Sequence, residues 1–178
     1  MPTYSSHACI SGNSSADGGG VWSWGTLTIQ DSTLSGNSAN SGGGIYYIYG
    51  KLEAINTIVA NSPSGGDCNI PISDGGHNIS SDDTCGFDPA NGSMPNTDPL
   101  LGPLQDNGGP TWTQALLWGS PAIDAGENNS CPPTDQRGVL RPLDGNGDGI
   151  AMCDIGSFEL VAPQFNNKFY LPLVIADS

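Results

Sequence analysis

Asp144-Gly-Asn146-Gly-Asp148-Gly149 places three oxygen-bearing side chains at alternate positions and ends on a glycine that permits a sharp turn. This is the pattern of the first half of a calcium-binding loop, in which hard oxygen ligands surround a hard cation. The carbonyl of Ile150 falls at the seventh position. At the twelfth, where a bidentate glutamate is expected, Ile155 stands, and the adjacent Asp154 is the carboxylate that could substitute for it. The expected ligand set is therefore Asp144, Asn146, Asp148, Ile150 and Asp154 around a structural Ca²⁺. The alternative is an Asx- and glycine-rich turn that holds no metal.

Three further chemistries deserve weighing against the chain. Carboxylate pairs that hydrolyse glycosidic bonds would have to come from Asp17, Asp31 and Glu53, the acids on the first repeats. Arg137 and Arg141 lie among Asp124, Glu127, Asp135, Asp154 and Glu159, a setting for bidentate ion pairs that pin a C-terminal cap to the last coil of the repeats or, alternatively, for an arginine–carboxylate active site. Trp22, Trp24, Tyr46, Tyr47 and Tyr49 cluster in sequence, with Trp112 and Trp118 further along. Flat aromatic faces beside Asn, Ser and Asp suit sugar rings, and the same residues could instead be covered by a loop folding back. No GxSxG elbow, HExxH, phosphate-binding loop or dinucleotide glycine motif occurs, and His7 and His77 sit in polar Gly/Ser contexts.

Composition narrows the partners. A net charge of −14, with Lys51, Arg137, Arg141 and Lys168 as the only cations, argues strongly against nucleic-acid binding, which works by neutralising phosphates. It also disfavours anionic membranes and uronate-rich glycans, leaving a neutral glycan or a cell-surface protein as the expected partner. No segment is apolar enough over the length of a membrane-spanning helix, so no membrane insertion is expected. Of five cysteines, Cys68/Cys85 and Cys131/Cys153 bracket two irregular Gly/Asn/Asp-rich regions and are the natural disulfide pairs, each closing a loop of about 20 residues and contributing about 3 kcal/mol. Reduced thiols are the alternative, and Cys9 is left over. The pairs imply an oxidising, secreted or cell-surface location.

The elements that must position these residues come from an internal repeat. Ile10-Ser-Gly-Asn-Ser14 recurs 24 residues later as Leu34-Ser-Gly-Asn-Ser38, and Gly18-Gly-Gly-Val21 recurs as Gly42-Gly-Gly-Ile45. Leu27-Thr-Ile29 matches Leu52-Glu-Ala54 once one residue is inserted before Lys51. Alternating apolar and polar residues, β-branched and aromatic side chains, and Gly/Ser/Asn/Asp clusters between them give strands and turns, not helices. A repeat of this length predicts a stacked architecture. The fold class expected is all-β, a right-handed parallel β-helix of about 2–3 coils with an irregular, disulfide-linked C-terminal cap. Inward columns should be Ile10/Leu34/Val59, Val21/Ile45 and Leu27/Leu52, with an asparagine column of Asn13, Asn37 and Asn61 at a turn. Trp22, Trp24, Tyr46 and Ile48 should then face outward. The expected divisions are residues 1–65 for the coils, 66–160 for the rest of the solenoid and the cap, and 161–178 for a tail.

The Ser35–Ile45 pattern resembles the repeat of polymorphic outer membrane proteins and related bacterial β-helix surface proteins. Asn56-Thr-Ile-Val-Ala-Asn-Ser62, Asp98-Pro-Leu-Leu101, Asp106-Asn-Gly-Gly109, Gly119-Ser-Pro-Ala-Ile-Asp-Ala-Gly126, Asp135-Gln-Arg-Gly138 and Cys153-Asp-Ile-Gly156, in that order, resemble the C-terminal region of "choice-of-anchor" β-helix proteins. Phe169-Tyr-Leu-Pro-Leu-Val174 is similar to segments that close many exported proteins. The resemblance implies export, a surface location and a β-helix, and it implies no single reaction. Met1-Pro-Thr-Tyr-Ser-Ser lacks a basic region and an apolar core, so the chain reads as the C-terminal piece of a longer exported solenoid. The function expected is an adhesin-like module without its own catalysis; the alternative is a glycosidase acting through carboxylates on the sheet face.

Overall fold

The computed structural model describes residues 7–162. Met1–Ser6, Lys168 and the Phe169–Val174 segment lie outside them. The strands are β1 (Cys9–Ser11), β2 (Val21–Gln30), β3 (Thr33–Ser35), β4 (Ile45–Ile55), β5 (Ile58–Ala60), β6 (Ser73–Asp74), β7 (Ile79–Ser80), β8 (Leu101–Gln105) and β9 (Thr113–Leu116). β1, β3, β5 and β7 stack in parallel as one sheet, and β2, β4 and β6 as a second. Together they form a parallel β-solenoid of about three turns. β8 and β9 are an antiparallel pair in the segment that follows.

The stacking register is the one the repeat dictates. Ile10 pairs with Leu34 and Leu34 with Val59; Val21 pairs with Ile45; and Leu27 pairs with Leu52 after a bulge between Ser23 and Gly25 absorbs the extra residue of the second coil. The glycine runs mark a corner where backbones stack too closely for side chains. A Cβ on Gly19 would lie 2.5 Å from the Ser38 carbonyl oxygen, and one on Gly43 would lie 2.4 Å from that of Ser64. At the Asn13 turn, the Asn37 Oδ1 accepts from both the backbone and the side-chain amide of Asn13, each at 3.0 Å. The column is two asparagines long. Asn61, in left-handed backbone at φ 58°, turns its amide to the Ser35 hydroxyl instead.

Successive rungs shorten as the chain advances. Hydrogen-bonded neighbours across coils are 24 residues apart at Asn13–Asn37 and 25 at Asp31–Asn56, then 21 at Thr57–Asn78 and 15 at Asn78–Ser93. The solenoid therefore tapers, and Met94 adds a last bridge to Ile79. Inside the coils Leu34, Ile45, Leu52, Ala54 and Val59 form a core, and the Cys68–Cys85 disulfide lies within it. The Cys131–Cys153 disulfide joins two parts of the cap. Both pairs expected from the sequence are formed, and Cys9 is a free thiol.

The cap differs from the expectation in where it packs. Instead of closing the last coil, it lies along the outer face of the β1–β3–β5–β7 sheet. Ile58, Ala60 and Ile79 point away from the solenoid interior and form a second core with Leu116, Ala122, Ile155 and Phe158. β3 and β5 are consequently buried on both faces. The Gly156 N–H donates to the Asn56 carbonyl, and Ser157 donates its N–H to the Thr33 hydroxyl. The contact admits no extra atom: a Cβ on Gly156, whose φ is 100°, would sit 2.7 Å from Thr33 Oγ1 and 3.0 Å from Ile58 Cδ1. Gly156→Ala is expected to destabilise the protein by about 3 kcal/mol, from overpacking and an unfavourable φ together. Denaturant unfolding reads this directly, and a loss under about 0.5 kcal/mol would mean that the cap does not seat on the sheet as described.

Candidate functional site

The outer face of β2 and β4 carries the exposed aromatics. Trp22 pairs in register with Tyr46, and Trp22, Trp24, Ile48 and Tyr49 project into solvent, with Trp24 70% and Tyr49 71% exposed. Tyr46 is half-buried among them. Strand alternation accounts for this face, because Val21, Leu27 and Ile45 of the same strands point into the coil. Tyr47 does not belong to the strip. It packs against the coil core, its N–H donates to Asn69 Oδ1, and its hydroxyl donates to the Gly50 carbonyl. The bulge around Gly25 and Gly50 shifts the alternation, so Tyr49 emerges on the outside one position out of phase.

The three candidate acids occupy three separate places. Asp17 is exposed in the turn before β2 and bridges Ser41. Glu53 is on the outer face of β4, 3.2 Å from Lys51. Asp31 is buried beneath the cap, bonded to the Asn56 amide at 3.1 Å and 3.6 Å from Arg141 Nη1. The structure does not bring them together as an acid pair, and Asp31 is out of reach of any substrate.

Around Asp31 the cap builds a buried ionic cluster. Arg141 pairs with Glu159 at 3.0 Å and donates from Nη2 to the Gly156 carbonyl. Arg137 directs Nε and Nη2 to Asp135 Oδ2, at 2.9 and 2.7 Å, lies over the Phe158 ring at 3.5 Å, and donates to the Glu159 carbonyl. Both arginines anchor the cap, as expected, but Arg141 reaches the turn after β2 and not the last coil. Asp31 and the residue stacked on it, Asn56, share left-handed backbone at φ 47°, and Asn56 Oδ1 accepts the Glu127 N–H of the cap.

Burial raises the proton affinity of three carboxyl groups in this interior. Asp154 is pushed up to about 7, first by burial and then by the neighbouring charge of Glu159, against two backbone N–H donors from Leu160 and Asp124. Burial likewise raises Glu159 and Asp31, with Arg141 opposing in both. One carboxyl of the solenoid shows the reverse balance. At Asp74, burial acts to raise the carboxyl, but the Asp88 and Gly76 N–H groups, the Asn78 amide and the Ser93 hydroxyl outweigh it and hold it below the ordinary value.

The Asp144–Ile150 loop is folded by its own amides. Gly147 and Gly149 donate to the two Asp144 oxygens, Asp148 to Asn146 and Ile150 to Asp148. Asp124, in left-handed backbone, clasps the loop by accepting from the Gly145 and Asn146 N–H groups. Asp154 is not part of it: it is fully buried under the cap, where its oxygens accept the Asp124 and Leu160 amides, while the loop is exposed. Among the described residues, no three His, Cys, Asp or Glu side chains converge as a metal site. Beside the loop a concavity is lined by Trp118, Gly119, Ser120, Ile123 and Asn146.

The two disulfides are the chemistry of an oxidising compartment. No helix among the described residues is long and apolar enough to cross a membrane. Compared with family models, with curated proteins and with solved structures, the chain matches none.

The ionic cluster generates a pH dependence with a definite sign. The folded chain holds the Asp154 proton more tightly than an unfolded chain, whose carboxyl titrates near 4. Stability is therefore gained as pH falls from about 8 to about 5 and lost as it rises through 7. His7, whose proton affinity is lowered by burial and then by Arg141, works the other way, losing stability as pH falls below its ordinary 6.5, so the wild type must be compared with a variant. Asp154→Asn is expected to be relatively more stable at pH 8 than at pH 5. Parallel melting curves for the two proteins across this range would refute the assignment.

Proposed function

We propose that the chain is an exported, acidic β-helix module that binds a neutral glycan through the outer face of β2 and β4, without catalysis of its own. The observation that carries this reading is the exposed strip of Trp22, Trp24, Tyr46 and Tyr49 on a rigid two-coil platform. Indole and phenol rings held on stacked strands offer flat apolar faces at little entropic cost, which is what the apolar face of a sugar ring needs. A cell-surface protein is the other class of partner such a face fits. Export is supported by the disulfides. The glycosidase alternative has less support, because Asp17, Asp31 and Glu53 are dispersed and Asp31 is covered.

Affinity electrophoresis through a panel of neutral polysaccharides tests the reading. Retardation is expected for at least one of them, weakened about tenfold by Trp24→Ala, a change of about 1.4 kcal/mol. The melting temperature should be unaltered, since Trp24 is mostly in solvent. Retardation indifferent to Trp24→Ala would move the site elsewhere, and release of reducing sugar would reinstate catalysis.

The Asp144–Ile150 loop is assigned a structural Ca²⁺ in the same reading. Asp144, Asn146, Asp148 and the Ile150 carbonyl would hold it, with water in place of Asp154. A carboxylate oxygen that accepts one amide retains a lone pair for a cation. Millimolar Ca²⁺ is expected to raise the melting temperature by a few degrees, an effect removed by Asp148→Ala. A melting temperature indifferent to chelation would sink the assignment.

A further inference from the structure

The concavity beside the Asp144–Ile150 loop has the makings of a second binding site, on residues that the aromatic strip does not use. Its volume is about 310 Å³, at the lower end of small-molecule sites. Trp118 forms one wall and is 65% exposed, so its indole is available to a ligand and is not a buried core residue. Asn146 stands at the rim. Its Oδ1 accepts the Asp148 N–H, which fixes the side chain, and its Nδ2 has no partner among the described residues.

The walls are already in place. The Ser120 N–H donates to the Leu117 carbonyl, and its buried hydroxyl donates to the Pro99 carbonyl while accepting the Ala122 N–H. The Ile123 N–H closes the turn on the Ser120 carbonyl. The loop side is equally constrained: a Cβ on Gly145 would approach Ile123 Cγ2 to 2.9 Å, and Asp124 grips the Gly145 and Asn146 amides. A ligand would therefore meet a preformed site and pay little in ordering it.

The chemistry selects the class of ligand. A flat indole asks for an apolar ring face, and a fixed amide N–H asks for an acceptor such as a hydroxyl or ring oxygen. Asp144 and Asp148 set a negative field in the adjoining loop, and no arginine or lysine lines the cavity to receive an anion. The small volume leaves room for a ring or two and not for a chain. We infer that the Trp118–Asn146 concavity binds a terminal ring of a neutral saccharide, stacked on the indole and held at its edge by the Asn146 amide.

The inference is independent of the strip on β2 and β4, and a titration separates the two. Neutral mono- and disaccharides (glucose, galactose, mannose, N-acetylglucosamine, maltose and cellobiose), with glucuronate alongside, are added to isotopically labelled protein while the four indole N–H signals are followed. One neutral sugar is expected to shift the Trp118 signal saturably, with a dissociation constant in the millimolar range. Trp118→Ala should weaken this binding at least tenfold and Asn146→Ala about threefold to tenfold, whereas Trp24→Ala should leave it unchanged. Since Trp118 is exposed, unaltered backbone spectra are expected for Trp118→Ala, whereas Asn146→Ala, which loses the bond from the Asp148 N–H, should shift only signals of the Asp144–Ile150 loop. The proposal is overturned if no neutral sugar moves the Trp118 signal, if binding survives Trp118→Ala, or if glucuronate binds as well as the neutral sugars. Loss of binding on Trp24→Ala alone would instead assign the sugar to the strip.

Discussion

Ile58, Ala60 and Ile79 point away from the interior of their own solenoid, and most of the remaining structure exists to cover them. A β-solenoid ordinarily buries its inward residues and leaves the outer face of each sheet to polar side chains. Here the outer face of β5 and β7 is apolar, so three turns of coil would expose a hydrophobic surface. Leu116, Ala122, Ile155 and Phe158 supply the missing half of that core. Because they lie 37 or more residues further along the chain, the cap has to return along the sheet instead of stopping at the last rung.

A returning segment with little regular structure of its own needs fixed points, and the arginines provide them. Arg141 is fully buried and reaches Asp31 on one side and Glu159 on the other. Isolated buried ion pairs bring little net stability, since desolvation offsets the attraction, but breaking one leaves an uncompensated charge. Such a cluster therefore favours one placement of the cap over slipped ones more than it adds to overall stability. Burial first, and then the charge of the neighbouring Glu159, explain why Asp154 takes a proton so readily. Asn56 has a matching role: it belongs to the repeat by its left-handed turn and to the cap by its bond with Glu127.

Much of this architecture was legible from the sequence, and what was not has a common cause. The rung register, including the inserted residue that becomes the bulge between Tyr47 and Gly50, follows from self-similarity over 24 residues, because stacked coils must place like on like. Both disulfides followed from the irregular segments they bracket. The Thr57-Ile-Val-Ala60 run was also informative, since consecutive apolar residues are the mark of a strand buried on both faces; reading it only as an inward column concealed the cap's seat. Tyr47 was misplaced because it was grouped with its aromatic sequence neighbours, although alternation from Ile45 already turns it inward; alternation fails only past the bulge, at Tyr49. Asp31 and Asp154 could not be located from pattern at all. Their surroundings come from contacts across the chain, such as Asn56 with Glu127 at 71 residues and Thr33 with Ser157 at 124, which no local spacing encodes.

The distribution of cations is what joins the fold to its surface chemistry. The described residues contain three basic side chains of the lysine and arginine type. Arg137 and Arg141 are committed to the cap, and Lys51 lies against Glu53. The architecture thus uses its positive charge internally, and what it presents outward is carboxylate, amide, hydroxyl and exposed aromatic rings. Such a surface repels polyanions at long range and offers nothing to neutralise them at contact. At the same time it retains the two elements that recognition of uncharged polyhydroxylated ligands requires, a flat apolar face and fixed hydrogen-bonding groups. That both the strip on β2 and β4 and the Trp118 concavity have this composition follows from one constraint, because a chain that needs its arginines to hold the cap in place has none left for a charged ligand.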